Sequence, residues 1–137
     1  MYSSSIRHHL MNPTNGRRGT HYNGVGEVKH EVKCRSNPDR VVKNRVKFSI
    51  CVDNGTILDA RREIFGDPVA VAAGSWCVQK IVGKTIDEMP HLVIPEQMAL
   101  DLEIKNELDI RAGCSAVIES LVSAFNDYRN RKEEQGS

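Results

Sequence analysis

Apolar and polar residues alternate with a strict period of two near the middle of the chain. The apolar positions are Val46, Phe48, Ile50 and Val52, and Cys51 falls between them among the polar residues. Successive side chains of a strand point to opposite faces, so this alternation predicts a strand with one buried face. Cys51 is expected on the opposite, outer face.

Two further strands are predicted on either side of this one. The tripeptide Asp53-Asn54-Gly55 favours a tight hairpin, because asparagine and glycine accept the positive φ angles of a type I′ turn. A returning strand is therefore expected over residues 57–65. Residues 25–35 alternate more loosely, with Val28 and Val32 on one side and charged residues on the other, which predicts an outer strand.

The second half of the chain has the apolar spacing of amphipathic helices. One helix is expected from Pro68 to Gly83, a second behind the capping-box pattern Thr85-Ile86-Asp87-Glu88, and a third from Pro95. The last helix is expected to begin near Ser115 and to bury one stripe of residues: Val117, Ile118, Leu121, Val122, Phe125 and Tyr128. Strands followed by helices predict an α+β fold, in which a small three-stranded antiparallel sheet has helices packed on one face.

The length of 137 residues fits a single domain spanning residues 1–137. Residues 1–24 are rich in Ser, Asn, Gly and Arg, and we expect them to be partly irregular apart from a short helix from Ser3 to Met11. Residues 129–137 are polar and are expected to form a frayed tail.

Charge and composition narrow the class of protein. The chain has 19 basic and 18 acidic side chains and a formal net charge of +1, so there is no electrostatic reason to expect a nucleic-acid partner. No apolar run approaches the roughly 18 residues that a membrane span needs. The N-terminus lacks the apolar segment of a secretory signal, so we expect a cytoplasmic protein. Its four cysteines, Cys34, Cys51, Cys77 and Cys114, are then expected to be reduced, and their wide spacing does not match structural zinc sites.

Asp67 and Cys114 are the residues best placed for chemistry. Each follows a glycine and precedes a predicted helix, and a helix N-terminus favours a carboxylate or a thiolate. Cys114 is therefore a candidate reactive or ligating thiol, unless it is only packed and Ser115 is the helix cap. Asp67 has a simpler explanation as the cap of a helix with Pro68 at its first position. No histidine is paired with Cys114 in sequence, so we do not expect an enzyme.

A series of motifs occurs in an order that is familiar from one family. They are Asn12-Pro13, Asn15-Gly16, Asp59-Ala60-Arg61, Phe65-Gly66, Gly83-Lys84-Thr85-Ile86-Asp87-Glu88, Cys114-Ser115 and Phe125-Asn126-Asp127-Tyr128. In this order they resemble the IscU/NifU N-terminal family of iron–sulfur cluster assembly scaffolds, over almost the whole chain. The resemblance implies the same α+β fold.

The resemblance also implies a metal site of three cysteines and a nearby aspartate, from which this chain departs. It keeps the third cysteine as Cys114, while Asp67 stands at the second cysteine position and Val42 falls near the first. The aspartate position falls near Asn44. Cys34 lies upstream of Val42 and would replace the first cysteine only if the loop were rebuilt.

Two other features of the family are missing. Gly113 stands where the family has a histidine, and residues 107–111 replace its proline-rich chaperone-docking motif. One thiolate and one hard carboxylate make a poor site for a cluster, so the resemblance implies a degenerate metal site.

Our first hypothesis is a non-catalytic binding subunit that has lost cluster scaffolding and carries no cofactor when isolated. It would dock on a protein partner, either a cysteine-desulfurase-like protein or a larger redox enzyme complex. The alternative is a residual scaffold or carrier that binds an iron–sulfur cluster or zinc through Cys114 and Asp67, with Cys34, a histidine or a partner's ligands. A third hypothesis is a thiol enzyme or sulfur carrier that uses Cys114 alone.

Overall fold

The computed structural model describes residues 3–6, 21–37 and 39–136. Its three strands are β1 (Gly24–Lys33), β2 (Val41–Asp53) and β3 (Thr56–Phe65). The helices are α1 (Pro68–Ile81), α2 (Met89–Leu92), α3 (Pro95–Asp101), the short turn α4 (Glu107–Asp109) and α5 (Ser115–Gly136), with a π-helical turn at Ile110–Cys114 between the last two. Of the helix predicted over residues 3–11, residues 4–6 are helical, and the remainder lies outside the described residues.

The three strands form one antiparallel sheet in the order β1-β2-β3. Val46, Phe48 and Ile50 are fully buried on the inner face of β2, as their alternation predicts. The hairpin between β2 and β3 is also confirmed, because Asn54 and Gly55 have φ angles of 49° and 76°. These positive angles give a two-residue turn that follows the right-handed twist of the strands.

The helices cover a single face of this sheet, which confirms the predicted α+β fold. Helix α5 packs across β1 and β2, and α1 packs against β3. The close approach of α5 depends on glycine, since a Cβ atom at Gly24 would lie 2.6 Å from the carbonyl oxygen of Ala124. The Ser120 hydroxyl of α5 shares its one hydrogen between the carbonyl oxygens of Gly26 (2.9 Å) and Val46 (3.1 Å), which ties the helix to two strands.

The reciprocal hydrogen bonds of the predicted capping box are present before α2. The Thr85 amide donates to the Glu88 carboxylate (3.0 Å), and the Glu88 amide donates to the Thr85 hydroxyl (3.2 Å). Helix α1 is buried on more sides than its predicted stripe, because it lies between the sheet and the segments that follow it. The stripe predicted for α5 is wrong at Val122, whose side chain is 47% exposed.

The last helix begins at Ser115, as its sequence pattern predicts. The helical turns at Glu107–Asp109 and Ile110–Cys114 lead into it without a break, and the Ser115 amide donates to the Ile110 carbonyl oxygen. Helix α5 continues to Gly136, and residues 129–134 have exposed side chains. The fraying of residues 129–137 and the single domain stay predictions. None of the helices in the described residues is long and apolar enough to cross a membrane.

Candidate functional site

A cleft of about 1140 Å³ opens where the start of β2, the start of α1 and the segment before α5 come together. Its lining includes Val42 and Asp67, two positions that the resemblance assigned to a metal site. The charged residues Arg40, Lys43, Lys105 and Asp109 also line the cleft. The described residues therefore place Val42 and Asp67 on one cleft, which is where two thiolates would stand if the family pattern were complete.

Asp67 is the N-cap of α1. Its backbone is extended (φ −66°, ψ 136°), and its Oδ1 atom accepts a hydrogen bond from the Val69 amide at 2.9 Å. Pro68 occupies the first helical turn, where its missing N–H group costs no hydrogen bond. The geometry is that of an ordinary aspartate cap, and one carboxylate oxygen is already engaged.

Asn44 joins three segments at the inner end of the cleft. Its side chain is nearly inaccessible, with 3% of the residue exposed. Its Oδ1 accepts from the Asp67 amide at 2.8 Å, and its Nδ2 donates to the Ala112 carbonyl at 3.1 Å. The amide thus links β2, the start of α1 and the π turn, and it pairs with a half-buried donor and a buried acceptor at once.

Gly66 makes this arrangement possible. Its φ angle of 145° is accessible mainly to glycine, and a Cβ atom there would lie 2.6 Å from the Lys43 carbonyl oxygen and also meet the Asn44 side chain. The strand β3 can therefore turn into α1 directly over Asn44. The Gly-Asp pair of the sequence is explained by this turn and the helix cap together.

Cys114 ends the π turn and is buried, with 1% of its surface exposed. Burial, Asp109 and Asp67 raise the pKa of its thiol to about 12. Cys77 of α1 is also buried, and burial together with nearby Cys114 raises the pKa of its thiol. The expectation that a helix N-terminus would favour a Cys114 thiolate is therefore wrong, because the π turn runs directly into α5 without a free helix N-terminus at Cys114 and because the nearby charges are negative.

Ser115 is not a helix cap either. Its hydroxyl donates to the Ile110 carbonyl oxygen at 3.2 Å within the helical chain. The cap of this helical segment is Asn106, whose Oδ1 accepts from the Leu108 amide at 2.8 Å. The segment before Cys114, which lacks the family's docking motif, is thus a helix start.

Cys34 lies in the loop after β1. Its amide donates to the Arg40 carbonyl oxygen at 2.9 Å, and its Sγ is 3.2 Å from the Ser36 hydroxyl oxygen. Hydrogen bonds from Ser36 and from the backbone of Asn37 and Ser36 lower the pKa of its thiol. Among the described residues, the hydrogen bonds of Cys34 are to Ser36, Asn37 and Arg40, and the three predicted metal residues are not assembled into one ligand set.

The residues present fit a cluster or zinc site poorly. Across residues 3–6, 21–37 and 39–136, no group of three or more His, Cys, Asp and Glu side chains is placed to hold a metal ion. Cys114 is buried and is not among the residues that line the cleft, and the raised pKa of its thiol favours the protonated form. The roles of Cys114, Asp67 and Cys34 as ligands stay predictions.

Asp109 is the site residue that sequence analysis missed. Burial and the charge of Asp67 raise the pKa of the Asp109 carboxyl group, while Arg40 opposes that rise. Asp109 also acts on Cys114 across the π turn. An available signal was the pattern Asn-Glu-Leu-Asp from Asn106, which is typical of a capped helix with acidic residues in its first turn.

Comparison with known proteins agrees with this fold. The family model described as the NifU-like N terminal domain matches residues 1–135. The iron–sulfur cluster assembly scaffold protein IscU of Escherichia coli strain K12 is 27% identical over 136 residues, which cover 96% of this chain and 97% of that protein. The protein of the same name from Shigella flexneri matches to the same extent.

Two solved structures have the same fold at low sequence identity. One is a protein from Fervidobacterium islandicum AW-1 described as an iron–sulfur cluster assembly scaffold for the SUF system, with a TM-score of 0.65, 18% identity, and 90% and 96% of the two chains covered. The other is the N-terminal part of a NifU-like protein from Brucella abortus, with a TM-score of 0.66, 12% identity, and 93% and 94% covered. The chain therefore belongs to the NifU N-terminal, IscU-like family of iron–sulfur cluster scaffold proteins.

Proposed function

We propose that this protein is a non-catalytic binding subunit that no longer assembles a cluster on its own residues. It docks on a cytoplasmic protein partner of iron–sulfur or sulfur-transfer chemistry, such as a cysteine-desulfurase-like protein or a larger redox enzyme complex. The observation that carries the proposal is the Asn44 bridge. Asn44 uses its oxygen on the Asp67 amide and its nitrogen on the Ala112 carbonyl, so no carboxylate stands at the family's aspartate position.

Three further observations support the loss of scaffolding. Asp67 is engaged as a helix cap, Val42 has no ligating atom, and the Cys114 thiol is buried with a raised pKa. A cluster needs several thiolates that are free to bind iron. Gly113 adds to the argument, because a Cβ atom there would lie 2.9 Å from the Cγ1 atom of Val69, so a histidine at this position would require Val69 to shift.

A second function competes with this one, and it fits the family at large better. A residual scaffold or carrier would bind zinc, iron or a cluster through Cys114 and Asp67, with a ligand from Cys34, a histidine or a partner. The charges around Cys114 favour metal binding, since the negative charges of Asp67 and Asp109 would attract a cation. These charges raise the pKa of the Cys114 thiol, and a bound cation would lower it again. Such a site would need a ligand from outside the described set.

Metal binding by the purified wild type separates the two functions. After anaerobic incubation with ferrous iron and sulfide, we expect less than stoichiometric iron and sulfide per chain and no stable visible absorption band. With zinc, we expect no shift of the melting curve. About one cluster per chain in the wild type, lost in the Asp67→Asn variant, would contradict the binding-subunit proposal. Asn still caps α1, so this variant removes the charge without removing the cap.

A gain-of-ligand variant tests whether the backbone still has scaffold geometry. Val42→Cys combined with Asp67→Cys places two thiols on the cleft near Cys114. At a zinc concentration a hundredfold above Kd, binding to the folded state alone raises its stability by about 2.7 kcal/mol. We expect a zinc-dependent increase in Tm only in this double variant.

Docking is tested by co-elution of the wild type with the purified cysteine desulfurase from the same genome, and absence of a complex with it and with redox enzymes would contradict the proposal.

A further inference from the structure

The outer face of the sheet carries a groove at the same end of the molecule as the cleft. We call it the Phe65 groove, and the residues that line it are Lys29, His30, Glu31, Lys43, Asn44, Arg45 and Phe65. Its volume is about 390 Å³. The helices of the described residues cover the opposite face, so none of them shields these side chains.

Phe65 is unusually exposed for an aromatic side chain in a sheet. It is the last residue of β3 and is 72% exposed. The strand register pairs Lys29 with Arg45 and Arg45 with Phe65, so the three residues form one row across the three strands on the same face. An apolar ring at the end of a row of cations is an arrangement that favours a partner with both apolar and acidic groups.

The charge of the groove is positive. Lys29, Lys43 and Arg45 face a single acid, Glu31, in its walls. The Nε atom of Arg45 is 3.0 Å from a Glu27 carboxylate oxygen, so part of its charge is already balanced. The two lysines have no such ion pair among the described residues. Carboxylates of a partner would therefore be attracted to Lys29 and Lys43.

We infer that the Phe65 groove docks an acidic segment of a protein partner. An aliphatic or aromatic side chain of that segment packs on the Phe65 ring, and its carboxylates contact Lys29 and Lys43. The inference rests on the proposed docking function and assigns it a surface. Nucleic acid fits less well, because Glu27, Glu31 and Glu63 lie among the cations on this face and would repel a phosphate backbone.

The test is fluorescence anisotropy with a labelled peptide, Glu-Glu-Leu-Phe-Asp-Glu, and the full chain. Phe65→Ser is expected to weaken binding about tenfold, which is the loss typical of an aromatic anchor. Lys43→Glu is expected to weaken it and to reduce its dependence on salt. Leu100→Ser is the matched control, because Leu100 is also 72% exposed but lies on α3. Binding to Leu100→Ser should equal wild type.

Three results would overturn the assignment. The first is no peptide binding below about 1 mM, the range of a non-specific contact. The second is equal binding to Phe65→Ser and Leu100→Ser. The third is tighter binding of a short oligothymidylate than of the peptide, with the same loss in Phe65→Ser. If the desulfurase co-elutes equally with the wild type and with Phe65→Ser, only the groove assignment is rejected. If the peptide binds as expected but no protein complex forms, only the proposed function is rejected.

Discussion

Removal of the Asn44 side chain should destabilise the protein more than any change on its surface. Asn44→Ala leaves the Asp67 amide and the Ala112 carbonyl without their hydrogen-bond partner. A buried polar group left unsatisfied costs about 1–3 kcal/mol. Water from the cleft reaches the half-buried Asp67 amide more easily than the Ala112 carbonyl group. The free-energy cost of losing the hydrogen bond is therefore smaller at Asp67 than at Ala112. We expect a loss of about 2–4 kcal/mol in the free energy of unfolding, which is a large share of a typical stability of roughly 5–15 kcal/mol.

Asn44→Asp restores the residue type of the family and should give a pH-dependent loss. An ionised carboxylate at this position accepts from the Asp67 amide but cannot donate to Ala112, and it lies in a region made negative by Asp67 and Asp109. Burial and these charges raise its pKa in the folded state above the unfolded value of about 3.9. The folded state then binds more protons than the unfolded state, so stability falls as pH rises through this interval. We expect the variant to approach wild type near pH 4 and to be weakest at neutral pH.

Urea denaturation of wild type and variants between about pH 4 and pH 8 measures both effects. Asn23→Ala is the matched control, because Asn23 also makes two hydrogen bonds to the backbone, with the N–H and C=O groups of Val52, at the far end of the sheet. The loss of stability in Asn23→Ala should not vary with pH. The rate at which Cys114 is alkylated should be the same in this variant as in the wild type. The reasoning would be refuted by a loss below about 0.5 kcal/mol for Asn44→Ala, or by an Asn44→Asp loss that is the same at every pH.

Two other predictions concern titratable groups. Iodoacetamide at pH 8 should label Cys34 first, since hydrogen bonds lower the pKa of its thiol. Cys114 should react more slowly than an ordinary thiol by on the order of a thousandfold, because the pKa of its thiol is raised from 9.0 to about 12. Mass spectrometry of early labelling with Cys114 ahead of Cys34 would contradict this. Hydrogen bonds from Trp76 and Gln97 lower the pKa of Asp101, so its stabilising effect is present above the unfolded pKa of about 3.9 and lost as pH falls through the lower folded value. Asp101→Asn should therefore lower Tm at pH 7, and a Tm difference that persists unchanged at pH 3 would speak against the charge.

The sheet and its hairpin could be predicted because their signals are local. The alternation of Val46, Phe48 and Ile50 needs only the two-residue period of a strand, and Asn54-Gly55 needs only its own φ angles. The cap at Asp67 is local for the same reason. Signals of this kind are read from neighbouring residues in the sequence and need no knowledge of tertiary packing.

The surroundings of Cys114 could not be predicted in this way. Its place in a π turn depends on packing against α1, where Gly113 approaches Val69 closely. Two segments more than forty residues apart in sequence meet there. The sequence pattern correctly indicated that α5 begins near Ser115, but it did not indicate the helical turns from Glu107 to Cys114 that lead into α5. The sign of the charge around Cys114 depends on Asp67 and Asp109 together, and only the fold brings them to the thiol.

The changed positions at the cleft depend on one another. Asn44 can donate to Ala112 only because the π turn lies close to β2, and the turn lies close to α1 only because Gly113 has no side chain. Asn44 in turn holds the Asp67 amide, next to the carboxylate that caps α1. A neutral amide and a cap therefore hold together three segments that metal ligands would otherwise join. Both polar atoms of the Asn44 amide are paired and the Asp67 carboxylate caps α1, so the residues at these changed positions have hydrogen-bond partners of their own. Such compensation supports a protein selected to keep its fold and surface without a cluster.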